Sequence, residues 1–171
     1  MIWRRRKGRA TLRRLLADDA AIWRDLRLEA LSLHPEAYGS SHDDWAGQPL
    51  RAFADRLSAG RVLGAFRDGL LVGSTALDPD PETSETGLLT AVYVNAAYRG
   101  EGIARDLLCA AEVQAKDAGM TGLALCVASS NQPALRFYRA AGFRPAGQGP
   151  RALARNGQLL DLIHMVRPIR A

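Results

Sequence analysis

The stretch VYVNAAYRGEGIARDLL, Val92 to Leu108, constrains the fold more than any other part of the chain. It begins as a β-branched and aromatic run and ends as an amphipathic helix. Between the two sits Arg99-Gly100-Glu101-Gly102-Ile103-Ala104. The first N–H groups of a helix lack internal partners, and the helix dipole adds partial positive charge there. A strand that turns straight into a helix aims those donors at one point. Glycine lets a bulky anion come close to the backbone because no Cβ intervenes, and Arg99 adds a fixed charge. These residues suit an anion cradle. They suit a plain structural turn equally well. Two other phosphate-binding patterns fail. A P-loop needs G-K-[ST], which is missing. A dinucleotide fingerprint needs a small residue where Arg105 stands and an acid after the next strand, which instead runs into Ser129-Ser130-Asn131.

The flanking sequence supplies the rest of an alternating α/β chain. Residues 10–16 alternate and predict a first strand. Asp18 or Asp19 is placed to cap the helix that follows, with Ile22, Leu26, Ala30 and Leu33 on its inner stripe and Trp23 beside it. Residues 36–45 read as a polar loop. Pro49 opens a short helix carrying Leu50, Phe53 and Leu57, which Gly60 stops. Residues 61–77 predict a hairpin around Asp68-Gly69, a pair suited to the positive φ angles of a tight turn. Strands are expected at 86–94, 122–129 and 157–169. The segment from Phe143 to Leu153 reads as a strand kinked at 147–150. Helices are expected at 102–118, with Ile103, Leu107, Ala111, Ala115 and Ala118 inward, and at 133–141. The expectation is one mixed, mostly antiparallel sheet of about seven strands flanked by about four helices, in a single domain over residues 10–171 behind a basic arm at 1–9.

Composition narrows the function classes. A chain of 171 residues with 47% hydrophobic content carries one full core. No apolar run approaches the roughly 20 residues of a membrane span. No apolar signal segment follows the basic N-terminus, so a cytoplasmic protein is expected. The net charge of +5 is concentrated: seven basic residues fall within residues 1–14, leaving the remainder slightly acidic. That distribution argues against a nucleic-acid binder and fits a solvated arm. Cys109 and Cys126 lie in apolar periodic segments and read as reduced core thiols, and no spacing of ligand residues predicts a metal site. No feature fixes an oligomeric state, and a homodimer stays open.

Two linked blocks, Val92–Leu108 and LCVASSNQPALRFYRAAGF (Leu125–Phe143), together resemble the GNAT superfamily of acyl-CoA-dependent N-acyltransferases. Its [RQ]-x-x-G-x-[GA] motif falls on Arg99, Gly102 and Ala104. The resemblance implies acetyl-CoA as co-substrate and a sheet splayed between its fourth and fifth strands. It implies that main-chain N–H groups around Gly100, Glu101, Gly102, Ile103 and Ala104 hold the CoA pyrophosphate. The backbone at Val92 and Val94 would pair with the pantetheine arm, with an amide near Val92 directed at the thioester oxygen. Asn131 would bond the pantetheine and Tyr138 would stand near the sulfur. A phenol is protonated at neutral pH and can give its proton to the departing thiolate. Taken by spacing alone, Tyr138 is also a good core aromatic and Asn131 a good helix-capping residue.

The proton acceptor for the amine is the thinnest part of the sequence argument. Relatives often use a carboxylate on the strand before the glycine turn, and residues 86–94 contain none. Glu85 is the tentative base, with Asp161, His164 or water as alternatives. The resemblance implies direct attack by a primary amine of a small molecule or protein in a ternary complex. A non-catalytic acyl-CoA sensor is the competing reading. The acceptor is expected over the first two helices, the 36–45 loop and the last strands, with Tyr38, Trp45 and Phe53 as lining or packing aromatics.

Overall fold

The structure, a computed structural model, describes residues 9–81, 83–146, 152–155 and 158–169. Four antiparallel strands form the first half of one sheet in chain order: β1 (Thr11–Arg14), β2 (Val62–Arg67), β3 (Leu70–Pro79) and β4 (Thr86–Val94). Asp68 and Gly69 link β2 to β3 with φ of 50° and 81°, the paired positive angles that a two-residue hairpin needs. The helix α4 (Ile103–Asp117) then crosses over to β5 (Gly122–Ala128), which runs parallel to β4. On the far side of β5 lies β8 (Gln158–Pro168), antiparallel to it and paired in turn with β6 (Arg144–Pro145) and β7 (Ala152–Arg155).

Eight strands and five helices are therefore described where about seven and four were expected. The extra strand arises because the kinked 143–153 segment becomes two short strands; the kink itself, 147–150, lies outside the described residues. The extra helix, α2 (His42–Ala46), sits inside the expected polar loop. Ser41 starts it with a reciprocal cap: its Oγ accepts the Asp44 N–H at 3.0 Å, and the Asp44 carboxylate accepts the Ser41 N–H at 2.8 Å.

The inner face of α1 (Ala20–Leu33) also differs from expectation. Trp23, Leu26 and Ala30 are buried as expected, but so are Arg27 and Leu31, whereas Ile22 and Leu33 are exposed. The buried set follows the i, i+3, i+4, i+7, i+8 spacing of a helix stripe, rotated about one residue from the one inferred. Asp19 does not cap α1: its carboxylate accepts the Leu16 N–H and two Arg13 donors. Cys109 proves exposed on α4 and Cys126 half-buried, and Ala118 is exposed too. The remaining helices, α3 (Leu50–Ser58) and α5 (Gln132–Ala140), fall where expected. On one side of the sheet Trp23, Phe53 and Leu57 pack on Leu15, Val62 and Ala76. On the other, α4 and α5 cover Val72, Leu89, Leu123 and Met165.

One interruption positions everything functional. β4 and β5 pair only through Thr86–Leu88 and Gly122–Ala124. Beyond that point β4 continues to Val94 against β3, and β5 continues to Ala128 against β8. Each wing is held on its outer side, and their inner edges diverge.

Candidate functional site

The inner edge of β4 is chemically open. The Asn95 N–H donates to the Val72 carbonyl of β3. Strand alternation therefore turns Tyr93 toward β3 and the main-chain groups of Val92 and Val94 toward the gap. Two side-chain bonds fit that direction: the Tyr38 hydroxyl donates to the Val92 carbonyl at 2.9 Å, and Arg99 Nε donates to the Val94 carbonyl at 3.0 Å. The register shifts here as well. Ser74 faces Tyr93 and Ala76 faces Thr90, so Thr75 alone opposes Ala91 and Val92. Ala91 has φ of 51°, a left-handed conformation that costs a residue with a Cβ about 1–2 kcal/mol. A strained bulge next to an open strand edge is a common device for aiming a backbone group.

β4 leads through a short turn at Ala96–Tyr98 to the glycines. Gly100 and Gly102 have φ of 77° and 83°, and a Cβ built on either would meet nothing within 4 Å. No side chain caps α4. Among the described residues, the N–H groups of Gly100, Gly102, Ile103, Ala104 and Arg105 donate to no main-chain carbonyl, and the first described bond of this turn runs from Asp106 to Gly102. The turn thus presents main-chain donors beside open space at a helix N-terminus. The Ile103 side chain is buried in the core, leaving only its backbone for this role. Glu101 pairs with the buried Arg67 of β2, which pins the turn to the sheet. Arg99 folds back over the Tyr93 ring and places Nη2 3.0 Å from His34 Nε2. Arginine can only donate, so His34 accepts at Nε2.

A cavity of about 450 Å³ runs from the β4–β5 gap to the first helices. Leu88–Val92 and Leu125–Ala128 form its two edges, and Asn131, Ala134 and Tyr138 close one side. Asn131 caps α5, its Oδ1 accepting the Ala134 N–H at 3.2 Å, and it also lines the cavity. Tyr138 is buried against Phe137 and Phe143 yet also lines the cavity. Burial pushes its phenol well above the usual tyrosine value, which keeps it a proton carrier.

The opposite wall comes from Trp23 and Arg27 of α1, Glu36 and Tyr38 of the following turn, Trp45 of α2 and Arg56 of α3. Phe53 does not reach it: that ring is fully buried behind Trp45 and Trp23, at 5.0 and 5.9 Å between centroids. Arg56 is engaged by both oxygens of Asp78, which also accepts from Thr90 Oγ1. Burial pushes the Tyr38 phenol up to about 12, with the cations of Arg27 and Arg99 opposing it.

The structure does not bring the tentative base to this cavity. Glu85 is exposed at the sealed end of the wedge, its carbonyl accepting from Thr121 and Gly122, while the cavity opens at the other end. Asp161 is exposed, and neither it nor His164 lines the cavity, whereas Leu162 between them does. The carboxylate that does line it is Glu36, which sequence reasoning passed over because it stood in an apparent loop. Arg27 was also missed. A basic residue at a core position of the α1 stripe was the available signal.

A sequence profile described as the acetyltransferase (GNAT) family matches residues 20–143. The chain is 32% identical over 127 residues to a mycothiol acetyltransferase of Thermomonospora curvata, matching 73% of this chain and 40% of that protein. It therefore spans well under half the length of that relative. It is 34% identical over 139 residues to an aminoglycoside N(6')-acetyltransferase type 1 of Stenotrophomonas maltophilia, covering 78% and 85% of the two chains. Among solved structures it resembles YncA of Salmonella typhimurium, determined with its cofactor acetyl-CoA, at a TM-score of 0.76 and 23% identity over 96% of each chain. Among the described residues no group of three potential metal ligands occurs, and no helix is long and apolar enough to cross a membrane. With its splayed parallel strands, its glycine turn and a family match over most of its length, this chain belongs to the acetyltransferase (GNAT) family.

Proposed function

We propose that the protein is an N-acetyltransferase that moves an acetyl group from acetyl-CoA to a primary amine in a ternary complex. The observation that carries this reading is the parting of β4 from β5 beyond Leu88 and Ala124, which leaves a cavity lined by both strands, Asn131 and Tyr138, with the open glycine turn following β4 in the chain. A diphosphate fits the turn, where a Cβ would find open space and backbone donors converge. The pantetheine arm is an extended diamide and suits the two facing strand edges, with Val92 and Val94 offering N–H groups. Asn131 still has its side-chain N–H groups to offer this arm.

The chemistry follows from the same groups. The bulge at Ala91 supports giving the Val92 N–H the task of stabilising the thioester oxygen as it gains charge; such donors contribute on the order of 100-fold or more in rate. Tyr138 gives its proton to the departing thiolate. Glu36, with its side chain 45% exposed, stands between cavity and solvent and takes the proton that the amine loses. Glu85 is not given that role. The two free cysteines fit a cytoplasmic, reducing compartment.

The test is calorimetry with CoA followed by a CoA-release assay over a panel of amines. Binding and release with at least one amine supports the enzyme reading. Tight binding with no release from any acceptor points to an acyl-CoA sensor, and no heat with CoA sinks both.

A further inference from the structure

The acceptor wall has a charge pattern that bears on what the acceptor is. Arg27 is only 8% exposed, yet it lines the cavity, with its guanidinium 4.8 Å from the Tyr38 ring and 5.9 Å from Trp45. A guanidinium against aromatic faces is held in place there and keeps its positive charge. Trp23 lies one turn earlier on the same face of α1 and also lines the cavity. Its side chain is almost wholly buried, and its Nε1 donor has no hydrogen-bond partner among the described residues. An indole N–H can only donate, and a buried donor without an acceptor is costly. Against these two donors and Arg56, Glu36 is the one carboxylate among the described lining residues.

A polycationic acceptor needs the opposite arrangement, several carboxylates around a cluster of ammonium groups. We infer that the acceptor is instead a compact amine carrying a carboxylate, with Trp23 and Arg27 reading the carboxylate and Glu36 facing the amine. This rests on the acetyltransferase reading and names the substrate class of the same site. It also serves the chemistry. A guanidinium on the wall disfavours a second positive charge nearby, so it favours the neutral, nucleophilic form of the bound amine. The cavity, about 450 Å³ with part of it given to the acyl end of the donor, suits an acceptor of amino-acid size.

The test uses the full chain and matched acceptors: a set of α-amino acids with small, aliphatic and aromatic side chains, each beside its primary amide and its decarboxylated amine, with an aminoglycoside as the polycation. CoA release gives kcat and KM for each. At least one acid should exceed its amide by about 10-fold or more in kcat/KM, chiefly through KM, the loss expected when a charge-assisted hydrogen bond disappears. Arg27→Gln should pull that ratio toward one, and Arg27→Lys should keep most of it. Equilibrium binding of the corresponding N-acetyl amino acid and its amide to the CoA-loaded protein reads the same preference without turnover. This wild-type measurement decides the matter even if Arg27→Gln does not fold. Amides equal to or better than acids, or preference for the aminoglycoside, would overturn the inference and leave the enzyme reading intact. Absence of CoA release from every acceptor would overturn that reading, and this inference with it.

Discussion

The donor side of the cavity is made largely of main chain, whereas the acceptor side is made of side chains. On the proposed donor side the groups on offer are N–H donors of a glycine turn and of an unpaired strand edge, held by sheet pairing on their outer flanks. On the acceptor side Trp23, Arg27, Glu36, Tyr38, Trp45 and Arg56 arrive from α1, the turn after it, α2 and α3. Main-chain geometry survives most side-chain changes and so binds one invariant cofactor. Side-chain walls can be rebuilt one residue at a time, which is how a single fold serves many acceptors.

The sharpest way to break this contrast is at the turn. Gly102 has φ of 83° and open space beyond its α-carbon. Gly102→Val should cost about 1–2 kcal/mol in stability from the left-handed backbone alone. The new side chain would fill the space that a diphosphate needs. Losing two charge-assisted hydrogen bonds at about 1.5–3 kcal/mol each corresponds to a drop on the order of 100- to 1000-fold or more in CoA affinity. Calorimetry with CoA, beside a urea melt, checks it. A folded variant with undiminished affinity would remove the turn from the donor site.

Next in size is Tyr138→Phe. General acids typically contribute 100-fold or more, so kcat should fall by about 100-fold while acetyl-CoA affinity changes little. Burial holds the phenol proton above its usual value of about 10. The wild-type rate should therefore show no loss of this acid up to that pH. Wild-type turnover in the variant would return Tyr138 to a purely packing role against Phe137 and Phe143.

Tyr38 tests where the two sides touch. Its ring faces the acceptor wall, and its hydroxyl donates to the Val92 carbonyl on the donor edge. Tyr38→Phe keeps the ring under Arg27 and removes one hydrogen bond, worth about 0.5–1.5 kcal/mol. A fall in kcat of up to about 10-fold with a small rise in acceptor KM is expected from steady-state kinetics. A change confined to KM would mean that the bond merely shapes the wall.

The same contrast explains what the sequence disclosed. The glycine turn, the hairpin at Asp68-Gly69 and α4 with its Ile103, Leu107, Ala111 and Ala115 face were readable because local chemistry dictates them. The wedge between β4 and β5 followed only from the family resemblance, since nothing local in Leu88 or Ala124 announces that pairing stops there. The acceptor wall was read poorly. α2 was hidden in a segment read as a polar loop because its signal is a reciprocal Ser41–Asp44 cap with little apolar periodicity. The α1 stripe was placed one residue off because Ile22 and Leu33 are exposed while Arg27 is buried, its guanidinium lying against the rings of Tyr38 and Trp45. Glu85 was singled out because it precedes the strand that leads to the glycine turn, and sequence order alone does not show that it lies at the sealed end of the wedge while Glu36 lines the cavity.

At working pH the smallest effect concerns the phenols. Tyr38 on the proposed acceptor side, Tyr138 on the proposed donor side and Tyr93, packed against Leu26 and Ala30 of α1, are all raised by burial, and Tyr93 further by donating to Glu29 at 2.6 Å. In the unfolded chain each titrates near 10, so folded and unfolded states bind the same protons below that pH and stability is unaffected. Above it the unfolded chain loses phenolic protons that the folded protein retains, and stability falls as pH rises, for Tyr38 until about 12. Urea melts should therefore show a midpoint insensitive to these groups below pH 10 and declining above it. Tyr38→Phe should make the decline shallower, because one of the three raised groups is gone. An unchanged slope would mean that the Tyr38 phenolate finds a stabilising partner in the folded protein, with Arg27 nearest its ring, and would blur the line between a wall that binds charge and one that excludes it.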